Sequence, residues 1–232
     1  MLSSRERLIV ALDVSTAAEA QEIVTSIGDA VTFYKVGMQL YTAEGPDLVR
    51  DLISSGRRVF LDLKYHDIPN TVASAVLQAG KLKVSLLTVH ASGGTKMLRA
   101  AADAARDINP ALKVVAVTVL TSMAQPDLDG IGVQRTVLQQ VIGLASMALS
   151  AGCAGVVSSV QEVRTLREKL GNEFTAITPG VRPAGAAQGD QARVATPAEA
   201  IAAGASHIVV GRPITAAASP ALEAEKILQE IS

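Results

Sequence analysis

Residues 58–71 read RVFLDLKYHDIPNT, a stretch that begins as an apolar strand and ends in charged side chains. Its apolar positions are typical of a strand that is covered on both faces. Asp62, Lys64 and Asp67 nevertheless stand at or just beyond the end of that strand, although burying a charge costs free energy unless a partner compensates for it. We therefore interpret this stretch as a buried strand whose end forms an active site.

The chain contains further short apolar runs of this kind, separated by segments with helical patterning. The strand candidates are residues 8–13, 32–37, 58–64, 84–90, 113–120, 154–159, 174–179 and 207–212. Apolar residues at helical spacing lie between them, for example at 16–27, 134–152 and 196–205. This alternation predicts an α/β fold, a (β/α)₈ TIM barrel, with residues 1–232 forming a single domain. An open doubly wound sheet is the alternative, but no G-x-G-x-x-G follows the first strand.

The composition suits a barrel core and excludes several classes of partner. Of the 232 residues, 49% are hydrophobic and only 3% aromatic, so the core must consist mainly of aliphatic side chains. A net charge of −1 gives no electrostatic basis for binding nucleic acid or a membrane surface. Cys153 is the only cysteine, which favours a packing role for it and a cytoplasmic location. The N-terminal segment resembles neither a signal peptide nor a membrane span.

Polar residues gather at the C-terminal ends of the predicted strands, where barrels of this kind carry their active sites. They are Asp13, Lys35, Asp62, Lys64, His90, Thr121, Ser122, Arg182 and Arg212, and Gly211 precedes Arg212 at the end of the last strand. Because side chains alternate along a strand, Asp62 and Lys64 point to the same face, which we expect to be the barrel mouth. We expect Lys35 and Asp67 to join them in an alternating array of acids and bases. An ion pair that only fixes the strand is the alternative, but buried pairs contribute little stability.

Two segments near the C-terminus predict a phosphate site. VVGRPIT (209–215) places a glycine and an arginine after an apolar strand and a proline at the start of a possible short helix. TPGVRPAGAAQGDQAR (178–193) is glycine-rich and has no evident helix or strand pattern, which is typical of a loop that closes over a ligand.

The three histidines carry no strong catalytic signal. We expect His66 to be structural, His90 to orient other groups at the mouth, and His207 to lie at the opposite end of the barrel. The spacing of histidines, cysteines and carboxylates does not resemble a metal site, and no Ser–His–Asp arrangement is indicated.

The sequence resembles the orotidine 5′-phosphate decarboxylase family, of the bacterial type, over essentially its whole length. The most specific element is DLKYHDIPNT (62–71), which matches the family signature D-x-K-x-x-D-I-P-N-T. Other matching motifs follow in order: ALD (11–13), YKVG (34–37), HASGG (90–94), LTS (120–122), TPGVRP (178–183), GDQAR (189–193) and VVGRPIT (209–215).

The resemblance implies decarboxylation of orotidine 5′-monophosphate to UMP, in pyrimidine biosynthesis, without a cofactor or a metal. It implies that Lys64 donates the proton and that Asp62 lies beside the substrate carboxylate. Asp67, Ile68 and Thr71 would reach into the site of the neighbouring subunit, which makes the enzyme an obligate homodimer.

The resemblance also assigns substrate-binding residues. Asp13 and Lys35 would contact the ribose, and Thr121 or Ser122 would contact the pyrimidine. The phosphate side would be held by Arg182, Gln191, Gly211 and Arg212.

Two other functions share some of these sequence features. A metal-dependent sugar-phosphate decarboxylase or aldolase of the same superfamily shares the D-x-K-x-x-D strand, but the IPNT and GDQ segments favour the nucleotide decarboxylase. A non-catalytic nucleotide-binding barrel would have no reason to keep charges that are costly to bury.

Overall fold

The computed structural model describes residues 2–183 and 195–232. Within them the strands form one parallel sheet in which each strand pairs with the next and β8 pairs with β1. The strands are β1 Leu8–Ala11, β2 Phe33–Gly37, β3 Arg58–Tyr65, β4 Leu86–His90, β5 Lys113–Val117, β6 Gly155–Val157, β7 Thr175–Thr178 and β8 His207–Val210.

This closed sheet confirms the predicted TIM barrel and excludes the open doubly wound sheet. Closure is direct, since Leu8 of β1 lies opposite Ile208 of β8 while Val10 lies opposite Tyr34 of β2. Several strands are shorter than predicted: β1 ends at Ala11 and β5 at Val117, because the chain leaves the sheet there to form the loops of the mouth. We call the C-terminal ends of the strands the mouth and their N-terminal ends the bottom.

One short helix, α1 Ser4–Arg7, precedes the first strand, and the other helices follow the strands. They are α2 Ala17–Ile27, α3 Met38–Ser54, α4 Pro69–Lys81, α5 Gly94–Ile108, α6 Gln125–Gly130, α7 Val137–Ser150, α8 Val160–Leu170, α9 Pro197–Ala202, α10 Arg212–Thr215 and α11 Pro220–Glu230. The predicted helices at 16–27, 134–152 and 196–205 correspond to α2, α7 and α9. Among the described residues, no helix has the length and hydropathy needed to cross a membrane.

The starts of α2 and α9 follow from local sequence. The hydroxyl of Thr16 accepts a hydrogen bond from the backbone N–H of Glu19, and Thr196 does the same for Glu199, each at 3.2 Å. In both cases the glutamate side chain reaches back to the backbone N–H of its threonine, which completes a capping box. These contacts fix where each helix leaves its loop.

The core has two layers that follow from the alternation of side chains along each strand. The inner layer fills the barrel and comprises Ile9, Ala11, Phe33, Phe60, Leu86, Val115, Ile177 and Val209. The outer layer packs strands against helices and includes Leu61, Leu63 and Tyr65. On β3, Phe60 points inward, and so do the second and fourth residues after it, Asp62 and Lys64. Both charged side chains therefore face the barrel axis, as predicted.

The bottom of the barrel is closed by a compact group of aromatic and basic side chains. The guanidinium of Arg58 lies 4.1 Å from the centre of the Phe33 ring, and the His207 ring meets Phe33 edge-on at 5.7 Å. Nδ1 of His207 donates to the backbone carbonyl of Glu6 at 2.9 Å. The pKa of His207 is lowered from its usual 6.5 to about 4, mainly by burial and also by Arg58, Lys113 and Arg7, against the opposing effect of that hydrogen bond. His207 thus lies at the bottom, as predicted.

Cys153 precedes β6 and is buried in the outer layer. Burial raises the pKa of its thiol to about 12, so the reactive thiolate is disfavoured. The predicted packing role is confirmed.

Candidate active site

A cavity of about 560 Å³ opens at the mouth, within the size range of small-molecule sites. Its floor is apolar and consists of inward-facing residues of the barrel: Ala11, Phe60, Val117, Val157, Ile177 and Val209. Its walls carry the polar strand-end residues, so the strand-end pattern in the sequence corresponds to one physical site.

Four charged side chains form a continuous array along one wall of this cavity. Nζ of Lys35 donates to Oδ1 of Asp13 at 2.7 Å and lies 3.7 Å from Oδ2 of Asp62. Nζ of Lys64 donates to Oδ1 of the same Asp62 at 2.9 Å. Acids and bases therefore alternate in the order Asp13, Lys35, Asp62, Lys64. Asp62 holds an ammonium group at each of its oxygens, and Lys64 ends the array with a side chain that is 28% exposed.

Gly37 allows the first part of this array to close. A Cβ at position 37 would lie 3.0 Å from Nζ of Lys35 and 3.1 Å from Oδ1 of Asp13, so a larger residue would crowd the ion pair. Gly37 also lies opposite Asp62 in the register of β2 and β3. The absence of a side chain thus brings Asp13, Lys35 and Asp62 within reach of one another.

The residues predicted to hold the pyrimidine and the phosphate line other parts of the cavity. Thr121 and Ser122 follow β5, Arg182 follows β7, and Gly211 and Arg212 follow β8. In a barrel of eight strands β7 lies across from β3, so Arg182 faces the cavity from the side opposite Lys64.

Gln191 and most of the predicted closing loop at 178–193 lie outside the described residues. Arg212 begins the short helix α10, with Pro213 in its first turn, as the sequence predicted.

The last predicted group, Asp67, Ile68 and Thr71, does not line the cavity of its own chain. All three are exposed at or just before the start of α4, and Ile68 is 66% exposed. Oδ1 of Asp67 accepts a hydrogen bond from the backbone N–H of Ile68 at 2.6 Å. A single chain therefore does not bring Asp67 into the array with Lys64.

His66 and His90 form a stacked pair beside the array, with ring centres 5.4 Å apart. Nδ1 of His90 accepts from the backbone N–H of Ser92 at 3.4 Å and lies 2.7 Å from the Ser92 hydroxyl. Burial lowers the pKa of His90, and the neighbouring His66 and Lys64 lower it further. Neither ring lines the cavity, so His90 lies beside the mouth and not on the cavity wall, and both histidines occupy supporting positions.

Sequence reasoning missed two kinds of residue at the site. The apolar floor could have been found from the alternation of inward and outward positions on each strand. Thr88 was also missed, although it is a polar residue within the apolar run of β4 and two positions before His90. It contacts both Asp62 and Lys64. Among the described residues, no three His, Cys, Asp or Glu side chains are grouped as metal ligands would be.

Known proteins similar to this chain cover nearly all of it. The sequence profile described as the orotidine 5′-phosphate decarboxylase/HUMPS family matches residues 6–227. The orotidine 5′-phosphate decarboxylase of Idiomarina loihiensis is 50% identical over 225 residues, which cover 97% of this chain and 97% of that protein. The protein of the same name from Moorella thermoacetica is 48% identical over 236 residues, which cover 99% of this chain and 94% of that protein.

A solved structure is similar as well. The crystal structure of orotidine 5′-phosphate decarboxylase from Lactobacillus acidophilus matches with a TM-score of 0.88 and 39% identity, covering 98% of this chain and 99% of that one. The charged array at the mouth, the DLKYHDIPNT segment and these full-length similarities lead to one conclusion: the chain belongs to the orotidine 5′-phosphate decarboxylase/HUMPS family.

Proposed function

We propose that this protein decarboxylates orotidine 5′-monophosphate to UMP, in pyrimidine biosynthesis, and that Lys64 supplies the proton. The observation that carries the proposal is the array at the mouth, which ends in an ammonium group held by Asp62 beside an open, apolar-floored cavity. Membership of the family and the names of the similar proteins support the choice of substrate.

The array suits the chemistry of this reaction. The bond from C6 of the pyrimidine to the carboxylate carbon breaks, CO₂ leaves, and the electron pair remains on C6. The ring stabilises that charge poorly, so the protein must supply the stabilisation. An ammonium fixed near C6 interacts more strongly with the developing carbanion than with the neutral ring carbon, which lowers the barrier. Lys64 then transfers a proton to C6 and regains one from solvent.

Asp62 has two parts in this mechanism. It accepts the hydrogen bond that orients Lys64, and its second oxygen lies toward Lys35. We place the departing carboxylate of the substrate beside it. Repulsion between two carboxylates would then raise the energy of the bound substrate and be relieved as CO₂ leaves.

The roles of the remaining residues are those that the family resemblance implies, and the described ones among them line the cavity. Asp13 and Lys35 contact the ribose, and Thr121 or Ser122 contacts the pyrimidine edge. Arg182, Gly211 and Arg212 bind the phosphate, together with Gln191. Because β7 and β8 lie away from β3, phosphate binding is remote from C6, and its free energy can be used to hold the reacting ring against Lys64.

We further propose that the active unit is a homodimer. Asp67, Ile68 and Thr71 are exposed and do not line their own cavity, and each would complete the site of the partner. The exposed apolar side chain of Ile68 is suited to such an interface. A cytoplasmic location is part of the same proposal, as for other enzymes of nucleotide biosynthesis, and cell fractionation would test it.

The direct test is a UV assay of orotidine 5′-monophosphate loss by the purified protein. We expect turnover that survives a strong chelator, and a loss of activity in Lys64→Ala. Lys113→Ala is the matched control, because Lys113 is an exposed lysine at the bottom of β5 and should keep full activity. Complete loss with the chelator would favour the metal-dependent aldolase or decarboxylase. Tight nucleotide binding without turnover would favour the non-catalytic barrel.

Mixed dimers test the shared site. Homodimers of Lys64→Ala and of Asp67→Ala should both be nearly inactive. A heterodimer of the two should regain activity, because one of its two sites carries neither substitution. Verified heterodimers without any rescue would place Asp67 in the site of its own chain.

A further inference from the structure

The pairing of β3 with β4 is irregular at the residues that carry the charges. Leu61 lies opposite Leu87 and Tyr65 lies opposite Val89, so Asp62 to Lys64 of β3 face the single residue Thr88 of β4. The two additional residues preserve the alternation of side chains, which is why both Asp62 and Lys64 still point inward.

This irregularity imposes strain on Lys64. Its φ of 51° lies in the left-handed region, which costs a residue with a side chain roughly 1–2 kcal/mol. A ladder interrupted in this way also leaves backbone groups that need other partners. This β-bulge, formed by residues 62–64, therefore needs hydrogen bonds from other groups to hold its backbone in place.

Thr88 meets that requirement with one hydroxyl group. Its Oγ1 accepts a hydrogen bond from the backbone N–H of Lys64 at 2.8 Å and donates to Oδ1 of Asp62 at 3.0 Å. The same Oδ1 accepts from Nζ of Lys64. The contacts thus form a closed circuit through the main chain of Lys64, the hydroxyl of Thr88, the carboxylate of Asp62 and the ammonium of Lys64. Thr88 itself is fully buried.

We propose that Thr88 is a positioning residue for the reaction, one that fixes the distance and direction of the Lys64 ammonium through the bulge. The inference rests on the proposed function. Thr88 is buried behind the residues that line the cavity and acts only through Asp62 and Lys64. Its hydroxyl has both the donor and the acceptor that the circuit needs, which valine of the same shape lacks.

Thr88→Val is the first test. Loss of the circuit leaves the shape of the site intact but frees the ammonium, so kcat should fall about 100-fold, the size expected for a small misplacement of a catalytic group. KM should change less than about threefold, because the wall residues that bind substrate are untouched. The matched control is Thr118→Val, which removes another buried hydroxyl whose hydrogen bond goes to the Val157 carbonyl. It should keep kcat within about twofold of wild type.

A second pair of variants tests the role of the hydroxyl group even if Thr88→Val does not fold. Thr88→Ser keeps the hydroxyl and should retain kcat within about threefold, whereas Thr88→Cys replaces that oxygen with a weak sulfur donor and should lose at least about tenfold. Equal activities of the serine and cysteine variants would overturn the inference. So would a wild-type kcat in Thr88→Val, or an equal loss in Thr118→Val.

Crystal structures of wild type and Thr88→Val separate this inference from the proposed function. We expect the 2.9 Å contact between Lys64 Nζ and Asp62 Oδ1 to open beyond hydrogen-bonding range in the variant. An unchanged contact would overturn the positioning role. Wild-type protein that fails to turn over the substrate would instead overturn the proposed function, and the structural comparison would still decide the role of Thr88.

Discussion

Strand β3 carries a basic residue near each end, and the two lie in opposite surroundings. At the bottom, Arg58 covers the ring of Phe33, which packs against His207, and the imidazole is satisfied by a backbone carbonyl. At the mouth, Lys64 is held by Asp62 at the edge of an open cavity. The bottom is closed by contacts that need no further partner, whereas the mouth arranges charge around space for a ligand.

The comparison shows how to tell structural charge from functional charge within one barrel. A charged side chain whose neighbours are rings and backbone groups contributes to stability. It can be replaced only by a side chain of similar shape. A charge beside other charges and a cavity contributes little stability, because desolvation offsets much of the attraction. Substitutions at the two ends should therefore separate stability from activity.

The largest expected effect is at the mouth. Lys64→Ala should lower kcat by at least about 10³-fold, because both charge stabilisation and proton transfer are lost. Its free energy of unfolding should change by less than about 1 kcal/mol, because Asp62 keeps its contact with Lys35 and the lost pair is partly exposed. Steady-state kinetics and urea unfolding measure the two quantities. A destabilised variant that retains its activity would make this ion pair a structural one.

At the bottom, His207 should make the protein sensitive to acid. Its pKa is about 4 in the folded chain and near 6.5 when unfolded, so between these values the unfolded chain binds the proton more readily. Stability should therefore fall as pH drops from 6.5 toward 4, by an amount on the order of 3 kcal/mol from this group.

The measurement is urea unfolding at several pH values, compared with His207→Asn. Asparagine can place its amide N–H near the position of Nδ1 and donate to the Glu6 carbonyl, but it does not titrate. The variant should lose less stability between pH 7 and pH 4.5 than wild type. If the free energies of unfolding of wild type and His207→Asn changed with pH in parallel, His207 would not titrate as the structure indicates.

A smaller effect is expected from Phe33→Leu in the same bottom group. Removing part of a fully buried ring should lower the free energy of unfolding by about 2 kcal/mol and leave kcat within about twofold. Phe60→Leu is the matched variant, since Phe60 is in the same inner layer but lines the cavity. It should change kcat/KM as well as stability. If both variants altered kinetics equally, the two ends would not be independent.

Sequence patterns predicted the barrel well because each strand–helix unit has its own local signals. Apolar runs, helical spacing such as that at 16–27 and 196–205, and polar strand ends each agree with the closed sheet. The patterns extended β5 too far, because they could not show where the chain leaves the ladder.

The array at the site was only partly predictable. Alternation along β3 correctly placed Asp62 and Lys64 on one face, and Lys35 joins them. The bulge against Thr88 and the left-handed backbone of Lys64 depend on pairing between distant segments, so no local pattern could reveal them. Asp67 does not line the cavity of its own chain, and its contribution to the site of a second chain stays a prediction.

The even size of the bulge in β3 limits how this barrel can be shortened or lengthened. Deleting one residue between Leu61 and Tyr65 would move each later side chain of β3 to the opposite face of the sheet. The ammonium group of Lys64 would then point toward the outer helices. Deleting two would keep the inward and outward alternation and leave Tyr65 opposite Val89, but it would remove the bulge that positions Lys64. Insertions and deletions that preserve a working pocket must therefore come in pairs here, a constraint for anyone who grafts new chemistry onto this scaffold.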